Sequence, residues 1–76
     1  NPSTVIRFTL PKAGNVTMKL YDVSGKEVMS VFGNQYMNAG VQEHLFWGSK
    51  LASGIYFYSL IVDDKYIGTR KMVLIK

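Results

Sequence analysis

The fold of this chain is decided by residues 51–60, which read LASGIYFYSL. Ser53-Gly54 is typical of a turn, and the isoleucine and aromatic residues that follow favour a pleated, half-buried strand. Alternation along a strand places two sets of side chains on opposite faces, namely Tyr56, Tyr58, Leu60 and Val62 against Ile55, Phe57, Ser59 and Ile61. Both faces carry apolar groups, so we predict a central strand that is covered on one face and on part of the second.

Turn signals divide the rest of the chain into short segments with the composition of strands. Ile6, Phe8 and Leu10 fall on one face of the first segment, which predicts a half-buried strand followed by a hairpin through residues 11–15. Glycine and asparagine in residues 33–40 predict the longest loop. The strands expected besides the central one are residues 3–10, 16–21, 27–32, 41–47 and 66–75.

Short strands at intervals of about 8 to 12 residues, without any segment of helical period, predict an all-β domain built as an antiparallel β-sandwich. The chain has 76 residues and no internal repeat, linker or low-complexity tract. We therefore expect one domain that occupies residues 1–76. The absence of an initiator methionine suggests that it is the tail of a larger protein.

The charge pattern argues against several classes of partner. Nine Lys/Arg and five Asp/Glu give a net charge of +4, but the cations are scattered apart from Arg70-Lys71. A nucleic-acid-binding protein would cluster them with exposed aromatic residues, so no nucleic acid is expected. No apolar stretch reaches the ~20 residues of a membrane span. The chain has no cysteine, which excludes disulfides and thiolate metal sites and leaves the redox compartment open.

No arrangement of residues indicates catalysis. His44 is the only histidine and has no recognisable nucleophile, orienting group or further metal ligands in its surroundings in sequence. Asp63 and Asp64 are adjacent, so they suit a turn better than a pair of catalytic carboxylates. We expect no enzyme activity, no cofactor and no metal.

Phe46-Trp47 places two rings on opposite faces of a strand, so one ring should face outward. An exposed Trp47 could stack on a sugar, because aromatic rings are the usual platforms for such contacts. This feature keeps an alternative function open, that of a carbohydrate-binding or adhesive accessory module of a secreted glycanase or protease.

Several ordered blocks along the whole chain resemble the C-terminal sorting domain (type A) of the type IX, or Por, secretion system. These blocks are Asn1-Pro2-Ser3-Thr4, Ile6-Arg7-Phe8, Leu10-Pro11, Gly14-Asn15-Val16, Tyr21-Asp22-Val23, Gly25-Lys26-Glu27-Val28, Ala39-Gly40, residues 51–58 and residues 69–76. The family is related to the immunoglobulin-like module of flagellar hook-capping proteins. The resemblance therefore implies an immunoglobulin-like sandwich of about seven short strands.

The resemblance also implies a function as an address. A cargo protein linked upstream of the domain would be directed from the periplasm of a Gram-negative bacterium through the outer-membrane type IX translocon. A sortase-like peptidase commonly removes such a domain and can attach the cargo to lipopolysaccharide on the cell surface. The domain itself would make and break no bond.

Individual residues carry the family pattern. Gly54 and Tyr56 match its Gly-x-Tyr block, and we expect them, with Tyr58, to have structural roles. Arg70, Lys71 and Lys76 match basic positions of the last strand and are the candidate recognition residues. Three departures are evident, and one is His44, which stands where an aliphatic residue is common. Phe46 and Trp47 stand where the family has Trp-Asp, and Ser59 stands where it often has Arg, so no recognition role transfers to Ser59.

Overall fold

The computed structural model describes residues 3–75, and these form six strands and no helix. Asn1, Pro2 and Lys76 lie outside the described residues. The strands are β1 (Ser3–Leu10), β2 (Gly14–Tyr21), β3 (Glu27–Met37), β4 (Gly40–Trp47), β5 (Gly54–Val62) and β6 (Lys65–Leu74).

The strands form two antiparallel sheets that enclose the core. β1 and β4 make a two-stranded sheet, and the other four strands make a second sheet in the order β3-β2-β5-β6. The predicted all-β antiparallel sandwich is confirmed, with six strands where about seven were expected. β5 is an inner strand of the larger sheet, as its apolar composition predicted.

The core lies between the inner faces of the two sheets. Val16, Met18 and Leu20 of β2 have no exposed surface at all, and each such side chain contributes about 1.5–3 kcal/mol through burial. The predicted apolar faces of β1 and β5 are also confirmed. The remaining buried apolar residues are Ile6, Phe8, Leu10, Phe46, Tyr56, Leu60, Met72 and Leu74.

The hairpin predicted between β1 and β2 is wrong. β1 pairs with β4 along its whole length, and β2 pairs with β3 and β5. The chain crosses from one sheet to the other between Leu10 and Gly14. Because both strands carry one apolar row, the crossing lets the two rows face each other across the core instead of lying side by side.

The loop predicted for residues 33–40 is also wrong, because β3 continues to Met37. Gly33 and Asn34 lie opposite Thr17 alone as a β-bulge, in which Asn34 has a φ of 49°. The backbone N–H of Asn34 donates to Thr17 Oγ1 at 3.0 Å. Glycine and asparagine thus mark a bulge here, and the turn to β4 needs only residues 38–39.

Two further register shifts explain why β3 alternates poorly. Its pairing with β2 skips one residue between Phe32 and Ser30 and another between Met29 and Glu27. Each skipped residue reverses the alternation of the side chains. Both members of each neighbouring apolar pair can therefore pack against the core, namely Val28 with Met29 and Val31 with Phe32.

Asp22 organises the turn between β2 and β3. Its Oδ1 accepts hydrogen bonds from the backbone N–H and the hydroxyl of Ser24, at 2.9 and 2.6 Å, and from the backbone N–H of Lys26 at 3.1 Å. The Ser24 hydroxyl, followed by the Lys26 amide, lowers the pKa of Asp22 below its ordinary value. The charged form therefore stabilises the fold above that ordinary pKa, and the contribution is lost as the pH falls through the lowered one.

Asp63 ties the β5–β6 hairpin to the start of β2. Asp63 and Asp64 have φ values of 49° and 67°, which suit a two-residue hairpin turn. Asp63 Oδ1 accepts the backbone N–H of Asn15, and the Asp63 N–H donates to the Asn15 carbonyl, both at 2.9 Å. Gly14 lies beneath this carboxylate, where a Cβ would stand 2.6 Å from Asp63 Oδ2 and 3.0 Å from Val62.

Gly14→Ala should therefore destabilise the domain. The added methyl group must displace the Asp63 carboxylate or the Val62 side chain, which we expect to cost about 1–3 kcal/mol, measured by urea denaturation. The matched control is Gly33→Ala, because a Cβ at Gly33 meets nothing within 4 Å. Equal stability of the two variants would contradict this account of Gly14.

Candidate recognition surface

β6 carries the described candidates for recognition and lies at the edge of the larger sheet. Within residues 3–75 it pairs only with β5. The pairing places Arg70 opposite Tyr58 and Lys71 opposite Phe57. The third candidate, Lys76, lies outside the described residues.

Arg70 and Lys71 point to opposite sides of the larger sheet. Arg70 shares the inner face with the buried Met72 and Leu74, whereas Lys71 shares the outer face with Val73. The structure therefore does not bring the two cations into one patch. A partner that contacted both would have to wrap around the edge of β6.

Arg70 lines an open groove between β6 and β1. The groove has a volume of about 320 Å³. Its walls and floor are Arg7–Thr9 of β1, Tyr58 and Leu60 of β5, and Ile67, Gly68 and Arg70 of β6. Arg70 makes no ion pair with any residue in the described part of the chain. Its charge is thus available to a partner at this groove.

Arg7 differs from Arg70 because it is already paired. Its Nε and Nη2 donate to Glu43 Oε2 at 3.0 and 2.6 Å on the outer face of the small sheet. Both side chains are exposed, and such surface pairs contribute about 0–1 kcal/mol. Arg70 is therefore the cation in the groove lining that has no carboxylate partner within the described residues.

Lys71 stands on a different surface, the outer face of the larger sheet. It is the neighbour of Phe57, which is in turn paired with Tyr21 of β2. Both rings are half-buried. This face therefore presents a cation beside two aromatic side chains.

Gly54, Tyr56 and Tyr58, which were expected to have structural roles, have different surroundings. Tyr56 is 8% exposed, and its hydroxyl donates to the Ala52 carbonyl at 2.6 Å. Such a bond, from a tyrosine to the backbone a few residues upstream, resembles the tyrosine corner of immunoglobulin-like sandwiches. Tyr58 is half-buried and lines the groove. A Cβ at Gly54 would meet only the Tyr56 ring, at 4.0 Å, so the packing leaves room for a small side chain.

Trp47 is the ring of the Phe46-Trp47 pair that faces outward, as one of the two was predicted to do. It is 56% exposed, and Phe46 is buried. Its neighbours on the outer face of the small sheet include Val5 and Leu45, which are paired with each other and are also exposed. Trp47 therefore lies in an exposed apolar patch on the outer face of the small sheet.

Sequence reasoning missed the groove itself. Phe8, Leu60 and Gly68 were assigned to strands, but no local pattern shows that β1 and β6 approach each other. His44 was placed on a strand, and its ring packs 5.0 Å from the ring of Phe32.

Within residues 3–75, no group of three or more His, Cys, Asp or Glu residues could hold a metal ion, and no helix is suited to crossing a membrane.

Comparison with protein families identifies the chain. The model of the family described as the secretion system C-terminal sorting domain matches residues 1–76. The chain therefore belongs to this family, whose members serve as sorting signals for type IX secretion. No curated protein and no solved structure gives a significant match. A sorting domain of this type implies a secreted or cell-surface protein of Bacteroidetes-type bacteria, with cargo carried upstream, and the family is not known to be catalytic.

Tyr56→Phe should weaken the fold through the loss of one hydrogen bond. The Ala52 carbonyl would lose its partner, which we expect to lower the free energy of unfolding by about 0.5–1.5 kcal/mol. Chemical denaturation measures the change. Tyr36→Phe is the control, because Tyr36 is largely exposed. An unchanged Tyr56→Phe variant would show that the hydroxyl bond does not stabilise the domain.

Proposed function

We propose that this domain is a non-catalytic export signal that is recognised as a folded surface by the outer-membrane type IX translocon. The observation that carries the proposal is the family match over all 76 residues. The cargo linked upstream passes through the periplasm, and a sortase-like peptidase then removes the domain. The cargo is released or anchored on the cell surface.

The recognition surface in this proposal is the edge formed by β6. Arg70 and Lys71 are both exposed on that strand, whereas Met72 and Leu74 of the same strand belong to the core. An edge strand offers a partner both its side chains and its unpaired backbone groups. Lys76, which follows β6 in sequence, adds a third basic position to this end of the chain.

The roles proposed for Gly54, Tyr56 and Tyr58 are structural. Tyr56 supports this most directly, because its ring is buried and its hydroxyl is bound to the backbone before β5. Tyr58 packs against the core from the half-buried side. Packing does not require a glycine at position 54, since a Cβ there would meet only the Tyr56 ring, at 4.0 Å. Gly54→Ala is thus a substitution that can separate recognition from folding.

Export of a reporter tests the proposal. Residues 1–76 are fused to the C-terminus of a periplasmic reporter in a bacterium with a working type IX system, and reporter is measured in the medium and on the surface. We expect export of the wild-type fusion and a severalfold loss with Arg70→Gln combined with Lys71→Gln. Lys12→Gln combined with Lys50→Gln, at two exposed lysines outside the strands, is the control for loss of two charges alone.

Substitutions are preferable to truncation in this test. Deleting residues 70–76 would also remove Met72 and Leu74, which are buried in the core, so lost export could reflect unfolding. The variants should first match the wild type in circular dichroism and thermal stability. Retention of a folded wild-type fusion in the periplasm would refute the export function, and full export of the double variant would refute the role of the two cations.

The exposed ring of Trp47 supports a second candidate function, the carbohydrate-binding or adhesive module. Trp47 is the single tryptophan in the chain, so its fluorescence reports directly on ligands at this face. If the alternative holds, titration with a panel of polysaccharides should shift or quench the emission, and Trp47→Ala should abolish binding. Unchanged emission across the panel would dismiss it.

A further inference from the structure

The groove between β1 and β6 exists because the two sheets differ in width. Neighbouring strands lie about 4.8 Å apart, so a two-stranded sheet covers much less than a four-stranded one. β4 packs over β3, as the 5.0 Å contact between the rings of His44 and Phe32 shows. The other end of β4 reaches β6, since a Cβ at Gly48 would stand 2.8 Å from Leu74. The uncovered part of the larger sheet is therefore the first half of β6 with the adjacent part of β5, where the groove opens.

One wall of the groove is the free edge of β1. Within residues 3–75, β1 pairs with β4 only. Three consecutive residues, Arg7–Thr9, line the groove, although side chains alternate between faces. The backbone of β1 must therefore border the groove along this stretch. An unpaired strand edge is a template for a further strand.

The floor of the groove is apolar and contains a gap. Phe8, Tyr58 and Leu60 supply apolar surface. Gly68 lies opposite Leu60 on β6 and has no side chain, and a Cβ built there would meet nothing within 4 Å. The space above Gly68 is large enough for an additional side chain.

The charge of the groove selects the occupant. Arg7 and Arg70 are in the lining, and no acidic residue is. The charge of Arg7 is already paired with Glu43, whereas Arg70 has no carboxylate partner among the described residues. A carboxylate brought by a partner would form a charge-assisted hydrogen bond with Arg70. A basic segment would instead be repelled.

We propose that this groove binds an extended acidic polypeptide segment by strand addition to β1. The backbone of the segment extends the small sheet to three strands over β5 and β6. One of its apolar side chains fills the space above Gly68, and one of its carboxylates meets Arg70. The proposal rests on the sorting function and deepens it, because it specifies the charge and conformation of the partner segment that binds the folded domain.

A peptide titration tests the binding mode directly. The probe is a synthetic eight-residue peptide, the length of β1, in which threonine at every second position separates valine and glutamate in turn. Valine and glutamate then share one face, as Gly68 and Arg70 do. The peptide is added to the isotope-labelled domain and followed by NMR. We expect saturable shifts at Arg7–Thr9, Gly68 and Arg70, and slower amide exchange along β1. A matched peptide with lysine in place of glutamate should not bind.

Two variants assign the contacts. Gly68→Leu should fold, since its side chain enters open space, and should abolish peptide binding by filling the groove. Gly33→Leu is its matched control, because Gly33 is a strand glycine with equally open surroundings outside the groove. Arg70→Gln should weaken binding by up to about fivefold, as expected for one solvent-exposed ion pair. Binding that survives Gly68→Leu would overturn the proposal.

The outcomes of the peptide and export experiments are distinguishable. If the wild-type fusion is not exported, the sorting function fails regardless of the groove. If it is exported and the folded Gly68→Leu fusion is exported equally well, the sorting function stands and the groove proposal fails. Light scattering adds one more overturning result, namely a dimer that Gly68→Leu dissociates, which would show that a second copy of the domain occupies the groove.

Discussion

The pairing of β2 with β5 at the centre of the larger sheet is the interaction on which the rest of the structure depends. Val16, Met18 and Leu20 are completely buried and lie opposite Val62, Leu60 and Tyr58. Both remaining strands of that sheet attach to this pair, and the small sheet packs over it. A chain of this length buries only about 60% of the surface of its unfolded state, so little of the core is dispensable.

The unequal sheets divide the domain into a closed side and an open side. On the closed side, β3 turns directly into β4, and the Phe32 and His44 rings are in contact. On the open side, β1 and β6 are both edges and leave a groove between them. β1 and β6 therefore contribute buried residues to the core and also present exposed backbone edges and cations.

Because side chains alternate along β6, this one strand both buries apolar residues in the core and exposes cations to a partner. Met72 and Leu74 close the core, whereas Lys71 and Val73 point outward, and Arg70 extends from the inner face into the groove. A sorting signal of this kind needs a folded scaffold, because the positions of its cations depend on the register of β6 with β5. Loss of the scaffold would remove the presented surface even if every charged residue were kept.

The sequence by itself determined the fold class, most of the strands with their buried faces, and the family, while the tertiary structure decided how far β3 extends, which strands pair and where a groove opens. The rows Ile6-Phe8-Leu10 and Val16-Met18-Leu20 are local patterns that alternation alone reveals. Local patterns do not specify whether two such rows lie side by side or face each other, so the β1–β4 pairing was missed. Gly33-Asn34 is compatible with a loop or with a bulge, and only the pairing of β3 with Thr17 of β2 makes it a bulge. The groove depends on the relative widths of two sheets, and this is decided only when distant segments pack to bury one common core.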